Sequence, residues 1–186
     1  MDDVLRVCHD RRAKPSRGCF FFYSYSITPL DIDTDQVHKT IRGNLDFLSQ
    51  AISTASLRRI ARAALEKIHD QLWAEVLMRQ RFTAQGAIQF RHDVAVLSAV
   101  FDWFVPGVAA AGLSSLNEAL VLLTLPVEMA VMGDGATGGA WTLGRVSDRV
   151  FRDNAEAKTV MEELGIVDLT PQNARNILQR RTEMDD

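Results

Sequence analysis

Residues 57–76, LRRIARAALEKIHDQLWAEV, decide the fold. Leu57, Ile60, Ala61, Ala64, Leu65, Ile68, Leu72 and Val76 recur at steps of three and four, which puts them on one face of a helix about five turns long. Arg58, Arg59, Arg62, Glu66, Lys67 and Asp70 point the other way. No glycine or proline interrupts the run, and alanine and leucine favour it. Such a helix is stable only when its apolar stripe is covered, so the stretch predicts partner helices on either side.

Working outward, those partners are visible. Upstream, Val37, Ile41, Leu45, Leu48 and Ile52 carry the same period and predict a helix from Asp35. Ser53-Thr54-Ala55-Ser56 then offers a stop and a fresh N-cap. Downstream, the chain is expected to turn near Phe82-Thr83, with Thr83 as a cap. Ala87, Phe90, Val94, Leu97, Phe101 and Phe104 mark a third helix, which Pro106-Gly107 stops. Leu113, Leu116, Leu120 and Leu123 mark a fourth, closed by Pro126. Gly133–Gly139 reads as a loop. A fifth helix runs from Thr142 through Val146, Val150 and Phe151 to Val160, Met161 and Leu164, with a break expected at Asp153 and Gly165 as its C-cap. Thr170-Pro171 opens a last helix carrying Ala174, Ile177 and Leu178. No segment alternates as a strand would. The fold class expected is all-α, an antiparallel helical bundle with short connections.

Residues 1–34 lack a helical period and are broken by Pro15, Gly18 and Pro29. They are expected to form a poorly ordered arm, and residues 35–186 a single helical module. The arm's apolar run, Cys19 to Ile27, is short and rich in hydroxyls, and the chain starts Asp2-Asp3. It makes a poor signal peptide and is too short for a membrane span. Val94–Leu113 contains Asp102, Pro106 and Gly107, so it reads as a buried helix and a turn.

The 186 residues are 47% hydrophobic and 24% charged, with net charge −3 and pI near 5.8. No global basic field exists, so nucleic acid is not an expected partner. Cys8 and Cys19 are too few for a disulfide framework, and a reducing compartment is expected.

Residues able to do chemistry are scattered. His9, His38, His69 and His92 have no ligand spacing, and Cys8, His9 and Cys19 lack the paired geometry of structural zinc sites. His69 and His92 fall on neighbouring helices and are expected to be structural. Gly133–Gly139 has no preceding strand and no following lysine, so it is not a phosphate loop. Neither a GxSxG nor an HExxH pattern occurs. The expectation is therefore a protein with no catalytic residues, no metal and no cofactor. A helical hydrolase would require a nucleophile–base pair in a cleft, and the spacing offers none. Two softer features remain. Arg58, Arg59 and Arg62 form a basic cluster, echoed by Arg79, Arg81 and Arg91. Its default reading is a solvated face, and its alternative a docking surface for an acidic partner. Phe90, Phe101, Trp103 and Phe104 read as core, with an exposed groove second.

The stretch Leu72-Trp73 through Leu77-Met78-Arg79-Gln80-Arg81-Phe82 to Gly86-Ala87-Ile88-Gln89-Phe90-Arg91-His92-Asp93 resembles the C-terminal region of the RINT/Tip-twenty family, subunits of the Dsl tethering complex (NRZ in animals). Asn44–Leu48, Leu57–Ile60, Leu116–Leu123, Val150–Gly165 and Ala174–Arg181 agree with it, the last two as in fungal members. The resemblance runs from about residue 36 to residue 181. It implies the C-terminal part of a rod of helical bundles of the CATCHR type, shared with exocyst, COG and GARP subunits. It also implies work in retrograde Golgi-to-endoplasmic-reticulum transport, with other Dsl/NRZ subunits and endoplasmic-reticulum SNAREs as partners. The expected location is cytoplasmic and peripheral at that membrane, with membrane association through partners. The family has no catalytic residues to carry over. Because arginines and aromatics anchor interfaces, the contacts are expected at Arg79, Arg81, Phe82, Gln89 and Arg91. The alternative is a peripheral membrane-surface protein using Phe20–Tyr25 and the nearby basic residues.

Overall fold

A computed structural model describes residues 32–127 and 141–184. Most of the arm, with Cys8, Cys19 and Phe20–Tyr25, and the stretch Gly133–Gly139 lie outside the described residues. Within them the fold is the expected all-α bundle. Helix α1 spans Ile32–Ala51 and α2 Thr54–Gln71; α3 is Ala84–Phe104, α4 Val108–Gly112 and α5 Ser114–Leu123; α6 is Leu143–Arg152, α7 Asn154–Glu163 and α8 Pro171–Leu178.

The boundaries follow from hydroxyls and carboxylates that accept otherwise orphaned amides. Ser53 Oγ accepts from the Ser56 N–H, Thr83 Oγ1 from Gly86 and Thr142 Oγ1 from Arg145. Asp153 Oδ1 accepts from Glu156 at 2.8 Å, which splits α6 from α7 where the sequence shows a break. Thr170 caps α8, with Pro171 in its first turn. Gly107 and Gly165 take φ of 76° and 72°, the left-handed conformation that lets the chain leave α3 and α7.

Three features depart from the sequence reading. Beyond α2 the chain widens into a π turn, Leu72–Leu77. The shifted register buries Leu72, Val76 and Leu77 together, although the last two are neighbours that a plain α-helix would turn apart. Between α3 and α5 lies the extra short helix α4. Asp102 Oδ1 accepts its Ala109 N–H at 3.0 Å, and a Cβ on Gly112 would sit 3.3 Å from Leu65 Cβ, so α4 lies tight on α2. Finally, the chain after α8 turns back as a strap. Phe82 N–H donates to Arg180 O at 2.7 Å, and Thr182 N–H donates to Phe82 O at 3.0 Å.

Helix α1 packs along α3, and α2 against α4; α8 covers both α5 and α6, and α7 pairs with α6. Helix α5 is the centre, with Leu116, Ala119, Leu120, Leu122 and Leu123 buried on several sides. The core runs continuously from Leu57 and Leu65 through Phe90, Phe101 and Leu120 to Val146, Val160 and Ile177. No described helix is long and apolar enough to cross a membrane.

Candidate interaction surfaces

The turn between α2 and α3 is built around Phe82. Its side chain is 0% exposed and stacks on Phe90, ring centroids 5.5 Å apart. With both its backbone groups bonded to the strap, Phe82 anchors the turn to the core. The expectation of a partner contact at Phe82 is thereby corrected, since a fully enclosed ring offers nothing to another protein. The other four expected contacts reach solvent but do not make one patch. Arg79 pairs with Glu75 one turn back, and Arg81 is exposed beside it. Gln89 Nε2 donates to Asp93 Oδ1 at 2.8 Å along α3, whereas Arg91 Nη1 donates to Thr124 Oγ1 at 3.3 Å, at the end of α5. Residues two apart on a helix face different ways, and the partners of Gln89 and Arg91 lie accordingly on different sides.

The strap holds the most enclosed charge in the described chain. Arg181 is 0% exposed. Its Nη1 donates to Leu123 O at 2.6 Å and Leu125 O at 3.0 Å, and its Nε donates to Glu183 Oε2 at 3.0 Å. Glu183 Oε1 accepts the Ala84 N–H at 2.8 Å, at the start of α3. Burial alone would raise the Glu183 carboxyl; the Arg181 hydrogen bond, the two backbone N–H groups and the Arg181 charge outweigh it and hold the carboxyl below its ordinary value. Ser147 on α6 donates to Met184 Sδ at 3.2 Å. One short segment thus ties α3, α5 and α6 together. In the sequence, Arg180-Arg181 look like two solvated cations at a helix end. The only legible clue was the apolar Ile177-Leu178 just before them.

Two further acids and bases are structural. Glu118 on α5 accepts from the backbone N–H groups of Val167, Asp168 and Leu169 at 2.9, 2.8 and 3.1 Å, which fixes the α7–α8 loop. A lone glutamate inside a leucine-rich helix was the signal for that role. Arg149 on α6 donates to Glu156 and Glu163 on α7 at 3.0 and 2.8 Å and lies 5.7 Å from the Trp141 ring centre. The Glu163 hydrogen bond first, then that of Glu156, raises the Arg149 guanidinium above its ordinary value.

His69 brings together α2, α5 and the π turn. Its Nε2 lies 2.9 Å from Ser115 Oγ, its Nδ1 3.4 Å from Asp70 Oδ1, and its ring stacks on Trp73 at 5.8 Å. The order serine, histidine, aspartate has the sequence of a proton relay but not its geometry. The Asp70 carboxylate is long and mostly solvated, and it does not orient the ring as a buried acid would. The contact reads as a tie between helices. His92 is exposed on α3. Among the described residues no group of three or more histidines, cysteines or acids is placed to hold a metal.

The outer faces of α1 to α3 carry the remaining features. Trp103 is 75% exposed, so the expectation of a core role at this position is corrected: it lies across α3 from Phe90 and Phe101, which are buried. Phe47 on α1 is 71% exposed. On α2, Ile60 falls at the edge of the apolar stripe and is 43% exposed, beside the exposed Arg59 and Ala63.

Residues 22–181 match the family model described as the RINT-1/TIP-1 family. That match begins upstream of residue 36, where the resemblance set out above starts. No curated protein and no solved structure matches the chain.

Proposed function

Because this chain belongs to the RINT-1/TIP-1 family, a family of vesicle-tethering subunits, we propose that it is a protein–protein interaction module acting in retrograde transport from the Golgi to the endoplasmic reticulum. Its partners on this reading are other Dsl/NRZ subunits and endoplasmic-reticulum SNAREs. It sits at the cytoplasmic side of that membrane and is held there through those partners. It works by binding, not by catalysis.

The observation that carries the reading is the family match over residues 22–181. The architecture supports it. A continuous core, helices capped at defined residues and a strap tying three of them make a rigid body, which a tether needs in order to hold two partners at a fixed separation. The side chains with chemical potential are spent on architecture: His69 joins helices, Glu118 fixes a loop and Arg181 locks the strap. The surface also carries exposed arginine, tryptophan and phenylalanine, the side chains that anchor protein interfaces.

The test is affinity capture of the tagged chain from a fungal lysate, read by mass spectrometry. Recovery of Dsl-type subunits or endoplasmic-reticulum SNAREs is the expected outcome. A folded, helical sample that recovers neither refutes the assignment of partners to this module.

A further inference from the structure

We propose that the exposed face of the first half of α2 docks an acidic, amphipathic segment of a partner protein, with Arg58, Arg59 and Arg62 receiving its carboxylates and Ile60 and Ala63 its apolar edge. The inference rests on the interaction-module reading and names a surface for it.

The exposed Arg79, just beyond α2, is paired with Glu75 one turn back. Arg58, Arg59 and Arg62 are the contrast. They are exposed and make no ion pair among the described residues. The first turn of α2 holds no acidic residue, and none occurs between Thr54 and Leu65. Three like charges one to four positions apart repel one another. The arrangement is thus uncompensated among the described residues, in a chain whose net charge is −3.

The face is also shaped for a protein more than for bare anions. Ala63 lies exposed between Arg59 and Ile60 on the helix surface, a small residue that lets a second backbone come close. Ile60, 43% exposed, supplies apolar area on the other flank of Arg59 and Ala63 from Arg58 and Arg62. Further along, Glu66, Lys67 and Asp70 alternate in sign, so an acidic segment is favoured only over the first three turns. This fixes where on α2 the partner sits.

The test uses the full chain and a fluorescein-labelled synthetic peptide with a glutamate stripe and a leucine edge, its glutamine counterpart, and vesicles containing phosphatidylserine. Anisotropy should report binding of the acidic peptide that weakens as salt rises. Arg58→Glu/Arg59→Glu/Arg62→Glu should weaken it about tenfold or more, the sum of three rim-exposed charge contacts. Ile60→Ser should weaken it severalfold, and Lys158→Glu, exposed on α7, should leave it unchanged. Circular dichroism of each variant reads the fold. Equal binding of the glutamine peptide, no effect of the triple reversal, or arginine-dependent binding of the vesicles without the peptide overturns the proposal. The module reading fails separately. Should the intact chain capture Dsl-type subunits or SNAREs equally well with and without the three arginines, the α2 surface is wrong and the module reading stands.

Discussion

Replacing Arg181 with methionine keeps the side chain's length and removes its charge from a site that is 0% exposed. The guanidinium donates to Leu123 O, Leu125 O and Glu183 Oε2. Hydrogen bonds that involve a charged group contribute about 1.5–3 kcal/mol each, so the gross loss is roughly 4.5–9 kcal/mol. Against it stands the desolvation of the guanidinium, which costs several kcal/mol and disappears with the charge. Nη2 has no partner among the described residues, which adds to that cost. The net expected is about 3–5 kcal/mol, the range found when one partner of a buried ion pair is removed. For a chain of this size that lowers the melting temperature by roughly 6–20 °C. Arg181→Lys should fall between, because a point charge cannot span two carbonyls and a carboxylate as the planar fork does. Adding Glu183→Gln to Arg181→Met should recover part of the loss, since the carboxylate is then no longer left half-buried without its counter-charge. Urea unfolding followed by far-ultraviolet circular dichroism measures all three. A loss below about 1 kcal/mol for Arg181→Met would refute the argument that the strap is locked by this residue.

Other predictions concern the same ties. Glu183, whose folded carboxyl is held below its ordinary value, stabilises the fold fully above about pH 4.3 and progressively less as pH falls through its folded value. The urea midpoints of the wild type and Glu183→Gln should therefore differ at pH 6 and converge in acid; a constant difference contradicts the assignment. Glu118→Ala removes the acceptor of three backbone N–H groups and should cost about 1.5–3 kcal/mol, with faster amide exchange at Val167–Leu169. Unchanged exchange there would mean the loop holds itself. Gly112→Val presses a branched side chain towards Leu65, whose Cβ lies 3.3 Å from where a Cβ on Gly112 would be, and should cost roughly 1–3 kcal/mol by urea unfolding.

The helices were legible because their signals are local. A period of three to four in apolar residues and a hydroxyl or carboxylate at the cap are both written within a few positions, as at Thr83, Asp153 and Thr170. The strap was not legible, because its bonds join residues about a hundred positions apart, Phe82 with Arg180 and Thr182. Nothing near Arg181 in the chain announces the carbonyls of Leu123 and Leu125. The π turn is likewise a matter of packing: the sequence from Leu72 to Leu77 is a good α-helix, and only the need to bury two adjacent residues widens it. Among the candidate contacts, exposure separated Phe82 from the arginines. The aromatic ring and the cations look equally suited to an interface in sequence, but only the turn's contacts with the strap show which one is consumed by the core. Trp103 went the other way, since its neighbours Phe101 and Phe104 masked a position on the outer face of α3.

On the proposed function, this chain is a binding module with its own partner site. Isothermal titration of the purified protein, folded by circular dichroism, against the cytoplasmic domains of endoplasmic-reticulum SNAREs and against a Dsl-type subunit tests it most directly. Saturable one-to-one binding to at least one of them is expected, at roughly micromolar affinity or tighter. No heat of binding and no co-elution with any of them would contradict it.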